Sequence, residues 1–250
     1  MSAAPTRGPL LDPNASRNCL VAGGGGALGR AVVAELLDRG DRVCVPWIVR
    51  EEAEELRTAH PDAVDDGRLR LSEANATDPD EIAALLDVLR ADWGPLWLAC
   101  STVGGYAGGT PVAELDDLTE VDRLLTLNLK TAFVVAREGL RHMREDAGRV
   151  VLVGARQAVR PGGGDAPYTA AKSGVLALTE SLAAELKRTG RTANCVLPGM
   201  IDTAANRAAM PDGRHDRWTP PAAIAKVIAW LASDDAWVVS GAGIPVYGDS

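Results

Sequence analysis

Asn18-Cys19-Leu20-Val21-Ala22-Gly23-Gly24-Gly25-Gly26-Ala27-Leu28-Gly29-Arg30 decides the fold of this chain. A short apolar run enters a glycine cluster. Beyond it Leu28, Val32 and Leu36, with Val33 and Leu37 beside them, recur at helical spacing. The pattern predicts a strand over 18–22, a tight turn, and a helix over 27–38. A phosphate needs backbone N–H groups and close approach of the chain, and side chains would obstruct both, which selects glycine. The cluster fits two registers. Gly24, Gly26 and Gly29 spell G-x-G-x-x-G, whereas Gly23, Ala27 and Gly29 spell G-x-x-x-[GA]-x-G. Gly23, Gly25, Gly26, Ala27, Leu28 and Gly29 are therefore the candidate dinucleotide-binding residues.

The remaining sequence repeats this alternation. Strands are expected at 42–47, 68–72, 96–101, 149–153, 192–197 and 243–246. Helices are expected at 51–59, 78–90, 118–143, 166–187 and 221–232, with Asp78 as N-cap and Pro79 in the first turn of its helix. Such alternation implies right-handed crossovers and a parallel sheet covered by helices on both faces. The polar stretch at about 203–219 is long for a connector and reads as an irregular lid inserted into the domain.

A length of 250 residues, 46% apolar and 24% charged, suits a single α/β domain, here 17–250. Residues 1–16 carry Pro5, Gly8, Pro9 and Pro13 without an apolar core, and read as a flexible tail rather than a signal peptide. A net charge of -8 argues against a nucleic-acid partner. No apolar run reaches the roughly 20 residues that span a bilayer. Cys19, Cys44, Cys100 and Cys195 form no C-x-x-C pair and read as buried strand thiols of a reducing, cytoplasmic setting. His60, His142 and His215 lack ligand spacing, so no metal is expected.

Tyr168-Thr169-Ala170-Ala171-Lys172 carries the chemistry. Residues i and i+4 share a helix face. A tyrosine of ordinary pKa about 10 is a poor proton donor or acceptor at neutral pH, and an adjacent ammonium is expected to draw that value down. The second strand ends Val45-Pro46-Trp47-Ile48, without the acid that commonly meets an adenosine ribose. Trp47 is a candidate flank for the adenine, and Arg50 a candidate contact for a 2′-phosphate, which leaves NAD(H) and NADP(H) both open.

With these motifs in place, residues 18–247 resemble the short-chain dehydrogenase/reductase family. The resemblance implies a Rossmann-type doubly wound parallel sheet of seven strands in the order 3-2-1-4-5-6-7. It also implies hydride transfer to or from a nicotinamide, with Tyr168 as acid/base and Lys172 on the nicotinamide ribose. Asn128, in Leu127-Asn128-Leu129, matches the asparagine that supports a proton relay. Asn75-Ala76 matches the adenine contact, with Asn75 where the family usually has Asp. Val103 and Gly104 stand in the family's Asn-Asn-Ala-Gly turn, and Pro198, Gly199, Ile201 and Thr203 in the stretch that holds the carboxamide and caps the pyrophosphate. A homo-oligomer, dimer or tetramer, is implied through the helices at 118–143 and 166–187, where Phe133, Val134, Leu140, Leu176 and Leu182 suit either an interface or the core.

Ala155 stands where the family has its catalytic serine. Losing one hydroxyl donor of this kind typically costs about 10²–10³ in rate. A narrower likeness, to dihydropteridine reductase, rests on Gly104–Gly109, Gly154-Ala155-Arg156, Asp202–Arg207, Met210-Pro211 and Trp218-Thr219-Pro220. That branch also carries alanine for serine and reduces a quinonoid dihydropterin. It has Asp near Trp47 and lacks the asparagine found here at 128. The leading expectation is therefore reduction of a small quinonoid or C=N substrate, with Ala155, Tyr106, Met210 and Trp218 lining its site. The alternatives are a carbonyl or 3-ketoacyl reductase in which another donor replaces the serine, and a catalytically weak dinucleotide sensor.

Overall fold

A computed structural model describes residues 16–249. The tail expected over 1–16 lies, but for its last residue, outside them. The chain runs β1 (Asn18–Ala22), α1 (Ala27–Asp38), β2 (Arg42–Trp47), α2 (Arg50–Ala59), α3 (Pro61–Asp65), β3 (Leu69–Glu73), α4 (Pro79–Trp93) and β4 (Leu98–Ser101). The second half holds α5 (Thr119–Leu124), a π-helical segment (Leu125–Lys130), α6 (Thr131–His142), β5 (Gly148–Val153), α7 (Ala166–Glu185), β6 (Arg191–Pro198), α8 (Ala204–Ala209), α9 (Pro221–Leu231) and β7 (Gly243–Val246). All seven strands form one parallel sheet in the order β3-β2-β1-β4-β5-β6-β7.

Period-two alternation sends successive strand residues to opposite faces. Cys19 and Val21 of β1 therefore pack under α1 and α9 with Val32, Val33, Leu36, Ile224 and Ile228. Leu20 and Ala22 pack on the other face with Ile82, Leu86, Val135 and Leu178 from α4, α6 and α7. All four cysteines are free and buried in these layers. Asp78 caps α4 as expected, its carboxylate accepting from the N–H groups of Asp80 and Glu81.

Two elements depart from the sequence reading. The helix expected over 118–143 contains a π-helical turn, which points Asn128 into the interior at 2% exposure. The stretch at 203–219 is irregular only in part. Thr203 Oγ1 accepts from Asn206 N–H and starts α8, and a bridge between Ile201 and Thr219 ties the two ends together. No helix among the described residues is long and apolar enough to cross a membrane.

The edge of the sheet away from the glycine loop is held by a buried charged stack. The Trp97 indole lies between the guanidiniums of Arg17 and Arg149, at 5.1 and 4.6 Å from its centroid. Asp234 meets Arg17 at 2.7 Å and Arg149 at 3.8 Å. Burial pulls the Arg149 guanidinium down to about 10 against the opposing pull of Asp234, and it donates to the carbonyls of Ser233, Gly148 and Gly190. Removing one partner strands a buried cation. Asp234→Ala is expected to cost about 2 kcal/mol in urea unfolding, discounted from the fully buried case because Asp234 is partly exposed. A cost below about 0.5 kcal/mol, the ordinary surface value, would contradict this.

Candidate active site

The glycine loop joins β1 to α1 and abuts the end of β4. Gly23 adopts φ +78, a left-handed conformation that favours glycine, and a Cβ there would lie 2.7 Å from Val103 N. A Cβ on Gly29 would collide with the carbonyl of Gly23. These two glycines close the turn on each other, which selects the Gly23/Ala27/Gly29 register. Gly24 serves packing instead, since its Cβ would strike the Val45 side chain at 2.7 Å. Leu28 spends its side chain in the core, so it can offer a ligand only backbone. The result is a side-chain-free cradle at a helix N-terminus, which fits a diphosphate.

Beside the cradle lies a cleft of about 260 Å³ lined by Gly23, Gly25, Gly26, Trp47, Glu52, Asn75, Ala76, Val103 and Gly104, among others. Asn75 is fixed by its own turn, its Oδ1 accepting from Thr77 N–H and Thr77 Oγ1–H at 3.0 and 2.9 Å. Trp47 lines the cleft as expected. Arg50 does not: its guanidinium sits 5.6 Å over the outer ring of Trp47. Thr102 donates through both N–H and Oγ1–H to the Ala22 carbonyl, locking the β4 loop to the end of β1.

The proton-handling groups converge where β4, β5 and α7 meet. Lys172 is 4% exposed and donates to the Val153 carbonyl at 3.0 Å, which ties α7 to the end of β5. Its Nζ stands 5.8 Å from the Tyr168 ring centroid. Asn128 accepts from Gly105 N–H at 3.2 Å and donates to the carbonyls of Gly105 and Leu124. A Cβ on Gly104 would fall 2.8 Å from Asn128 Oδ1 and 3.1 Å from Lys172 Nζ, so a glycine here lets three segments meet.

Electrostatics corrects one expectation. The lysine does not draw the Tyr168 phenol down. Burial pushes it up to about 12, reinforced by Tyr106 and Asp165. Burial pulls Lys172 the other way, from 10.5 to about 8. The cost of putting a phenolate out of water outweighs any attraction from the amine. Tyr168 is thus poised as a proton donor at neutral pH.

Tyr106 stands beside Tyr168, its ring edge-on at 5.0 Å between centroids. It is held there by Asp165, which accepts from the Tyr106 hydroxyl at 2.8 Å, and by the Gly109 N–H bond to the Gly164 carbonyl. Asp165 was not singled out in the sequence, although its place just before Ala166-Pro167, at the start of a helix, marks a position where polar side chains recur. Ala155 is buried at the end of β5, with extended backbone and no hydroxyl. Gly199, Ile201 and Thr203 follow Pro198 at the end of β6; Gly199 N–H donates to Val246 and Thr203 caps α8. Met210 and Trp218 belong to the stretch around α8. The Trp218 ring meets His215 at 4.4 Å between centroids, tilted by 58°, and His215 Nε2 bonds the Met210 carbonyl. No contact among the described residues brings either against Tyr168.

Comparison with known proteins agrees with this geometry. Residues 17–213 match the short chain dehydrogenase family. The chain is 32% identical to the 3-oxoacyl-[acyl-carrier-protein] reductase MabA of Mycobacterium tuberculosis over 99% of its length and 98% of that protein. It is 29% identical to the 3-oxoacyl-[acyl-carrier-protein] reductase FabG of Escherichia coli, over 92% of this chain and 95% of that one. It superposes on a blue fluorescent protein from a metagenomic library, solved in complex with NADPH, with a TM-score of 0.83 at 27% identity, covering 95% of this chain and 99% of the other. The narrower likeness to dihydropteridine reductase finds no support in these comparisons. The chain is an oxidoreductase that belongs to the short chain dehydrogenase family.

Proposed function

We propose that the protein reduces a small carbonyl compound of the 3-oxoacyl type with NADH or NADPH. The observation that carries this reading is the convergence of Lys172, Asn128 and Gly104 beside Tyr168. Similarity to the two 3-oxoacyl reductases over nearly the whole chain supports the substrate class. The glycine cradle, Trp47, Asn75 and Ala76 would hold the diphosphate and adenosine, and Pro198, Gly199, Ile201 and Thr203 the nicotinamide end. The dinucleotide supplies the hydride when bound.

Tyr168 donates the proton to the substrate oxygen; the phenol is protonated at neutral pH, and its raised pKa makes the neighbouring cation necessary for the transfer. Lys172 places a cation below the phenol and lessens the cost of the phenolate that the transfer leaves. Asn128 spends both amide hydrogens on carbonyls and keeps one Oδ1 lone pair for a water that links Lys172 to solvent. Tyr106 walls the site, and the stretch at 203–219, pinned at its base, closes over substrate. A homo-oligomer would use the exposed Phe133 beside Leu125 and Leu129. Val134 and Leu182, in contrast, are buried in the core.

A second reading is kept by one observation. Ala155 offers a carbonyl oxygen no hydroxyl, and a quinonoid or C=N substrate has less need of one. Ala155→Ser separates the two. If carbonyls are the substrate, ketone turnover rises more than about tenfold, in line with the worth of one such donor. No change or a loss favours the quinonoid class.

The direct test is NADH or NADPH oxidation with 3-oxoacyl thioesters, simple ketones, imines and quinonoid pterins. Tyr168→Phe is expected to lower kcat by about 10²–10⁴ while dinucleotide binding holds. An unchanged rate would remove Tyr168 from its role.

Lys172 also makes a stability prediction. Its folded pKa is depressed, so its charge opposes folding below about 8, and the opposition is relieved as pH rises toward 10.5. Lys172→Met is expected to abolish turnover yet raise the unfolding free energy at pH 7 by about 1–2 kcal/mol, the desolvation gain less the lost bond to Val153. The advantage should fade between pH 8 and 10.5. A variant less stable than the parent at pH 7 would contradict this.

A further inference from the structure

The end of β2 lacks an acid, yet the cleft beside it contains one. Glu52, in the first turn of α2, is the single charged residue among those lining the cleft in the described structure. It packs against the glycine loop: a Cβ on Gly25 would lie 2.5 Å from Glu52 Oε2 and 2.6 Å from Glu52 Cβ. A glycine at 25 is what allows the carboxylate to come this close. The carboxylate is half-buried and takes no hydrogen bond or ion pair among the described residues. Its neighbours in the cleft are Trp47, Ile48, Val49, Asn75 and Thr77.

Two cations stand near the cleft without lining it. Arg50 lies over the Trp47 ring and does not line the cleft. Arg30, the first cation after the glycine loop, pairs with Glu55. The positive end of the α2 dipole would favour a phosphate, but Glu51 and Glu52 already occupy its first turn.

We propose that Glu52 accepts hydrogen bonds from the adenosine ribose hydroxyls and thereby selects NADH over NADPH. This rests on the dinucleotide reading above. Hydroxyls donating to a carboxylate form charge-assisted bonds, roughly twice as strong as neutral ones. A 2′-phosphate at the same place would set about 1.5–2 negative charges against that carboxylate in a partly dry cleft, with no cation among the described residues that line it. The acid that dinucleotide folds commonly place at the strand end is here supplied from the next helix and reaches back over Gly25.

The test measures binding of NADH and NADPH, without substrate, by calorimetry on the full-length chain and on Glu52→Gln. Glutamine keeps the shape and removes the charge, so the fold is retained. The parent is expected to bind NADH at least about tenfold more tightly than NADPH, and Glu52→Gln to narrow that ratio at least about fivefold, mainly by gaining NADPH. Tighter binding of NADPH by the parent, or an unchanged ratio in the variant, overturns the assignment of Glu52 and leaves the proposed function intact. Binding of neither nucleotide overturns both.

Discussion

The hydrogen bond from Lys172 Nζ to the Val153 carbonyl, made almost out of reach of solvent, is the contact on which the site depends. It fixes α7 to the end of β5 and so fixes Tyr168 one turn earlier on the same face. It also leaves the amine under Gly104, where the β4 loop and Asn128 close over it. Folding works against this arrangement, because burial disfavours the cation. The sheet, with its close-packed core on both faces, supplies the stability that lets a charged group stay there.

The sheet's carboxyl edge divides into two parts. On the β1–β2–β3 side, the glycine turn opens a cleft walled by Trp47, Ile48, Val49 and Glu52. On the β4–β5–β6 side, the same edge is crowded with polar groups that hold one another. Thr102 bridges the halves by bonding to the Ala22 carbonyl, which joins the β4 loop to the start of the glycine turn. Such coupling suits a reaction in which the two reacting atoms must meet at about 3–3.5 Å.

Much of this was legible in the sequence. Strand positions followed from apolar runs between glycines, and the order of the sheet from alternation with the family resemblance. The glycines alone left two registers for the loop; the family resemblance pointed to Gly23, Ala27 and Gly29, and the close approach of Gly29 to Gly23 gives that choice its physical reason. The π-helical turn at Asn128 was hidden because it preserves the helical period on either side. The charge of Arg50 was visible in the sequence, whereas its place over the Trp47 ring was not. Glu52 was overlooked because the search for a ribose acceptor stopped at the end of β2. The direction of the Tyr168 shift was misjudged because proximity of charge can be read from spacing, while desolvation depends on the surrounding packing. Thr203, an N-cap type ahead of alanines, was a readable signal for α8.

The central claim is that the phenol of Tyr168 faces the reactive end of a bound pyridine nucleotide, with the amine of Lys172 behind it. A crystal structure of the protein with oxidised dinucleotide measures this most directly. The account predicts Lys172 Nζ within hydrogen-bond reach of the nicotinamide ribose and the Tyr168 hydroxyl turned toward the nicotinamide ring. A nicotinamide ordered elsewhere, with Tyr168 turned away from it, would contradict the account.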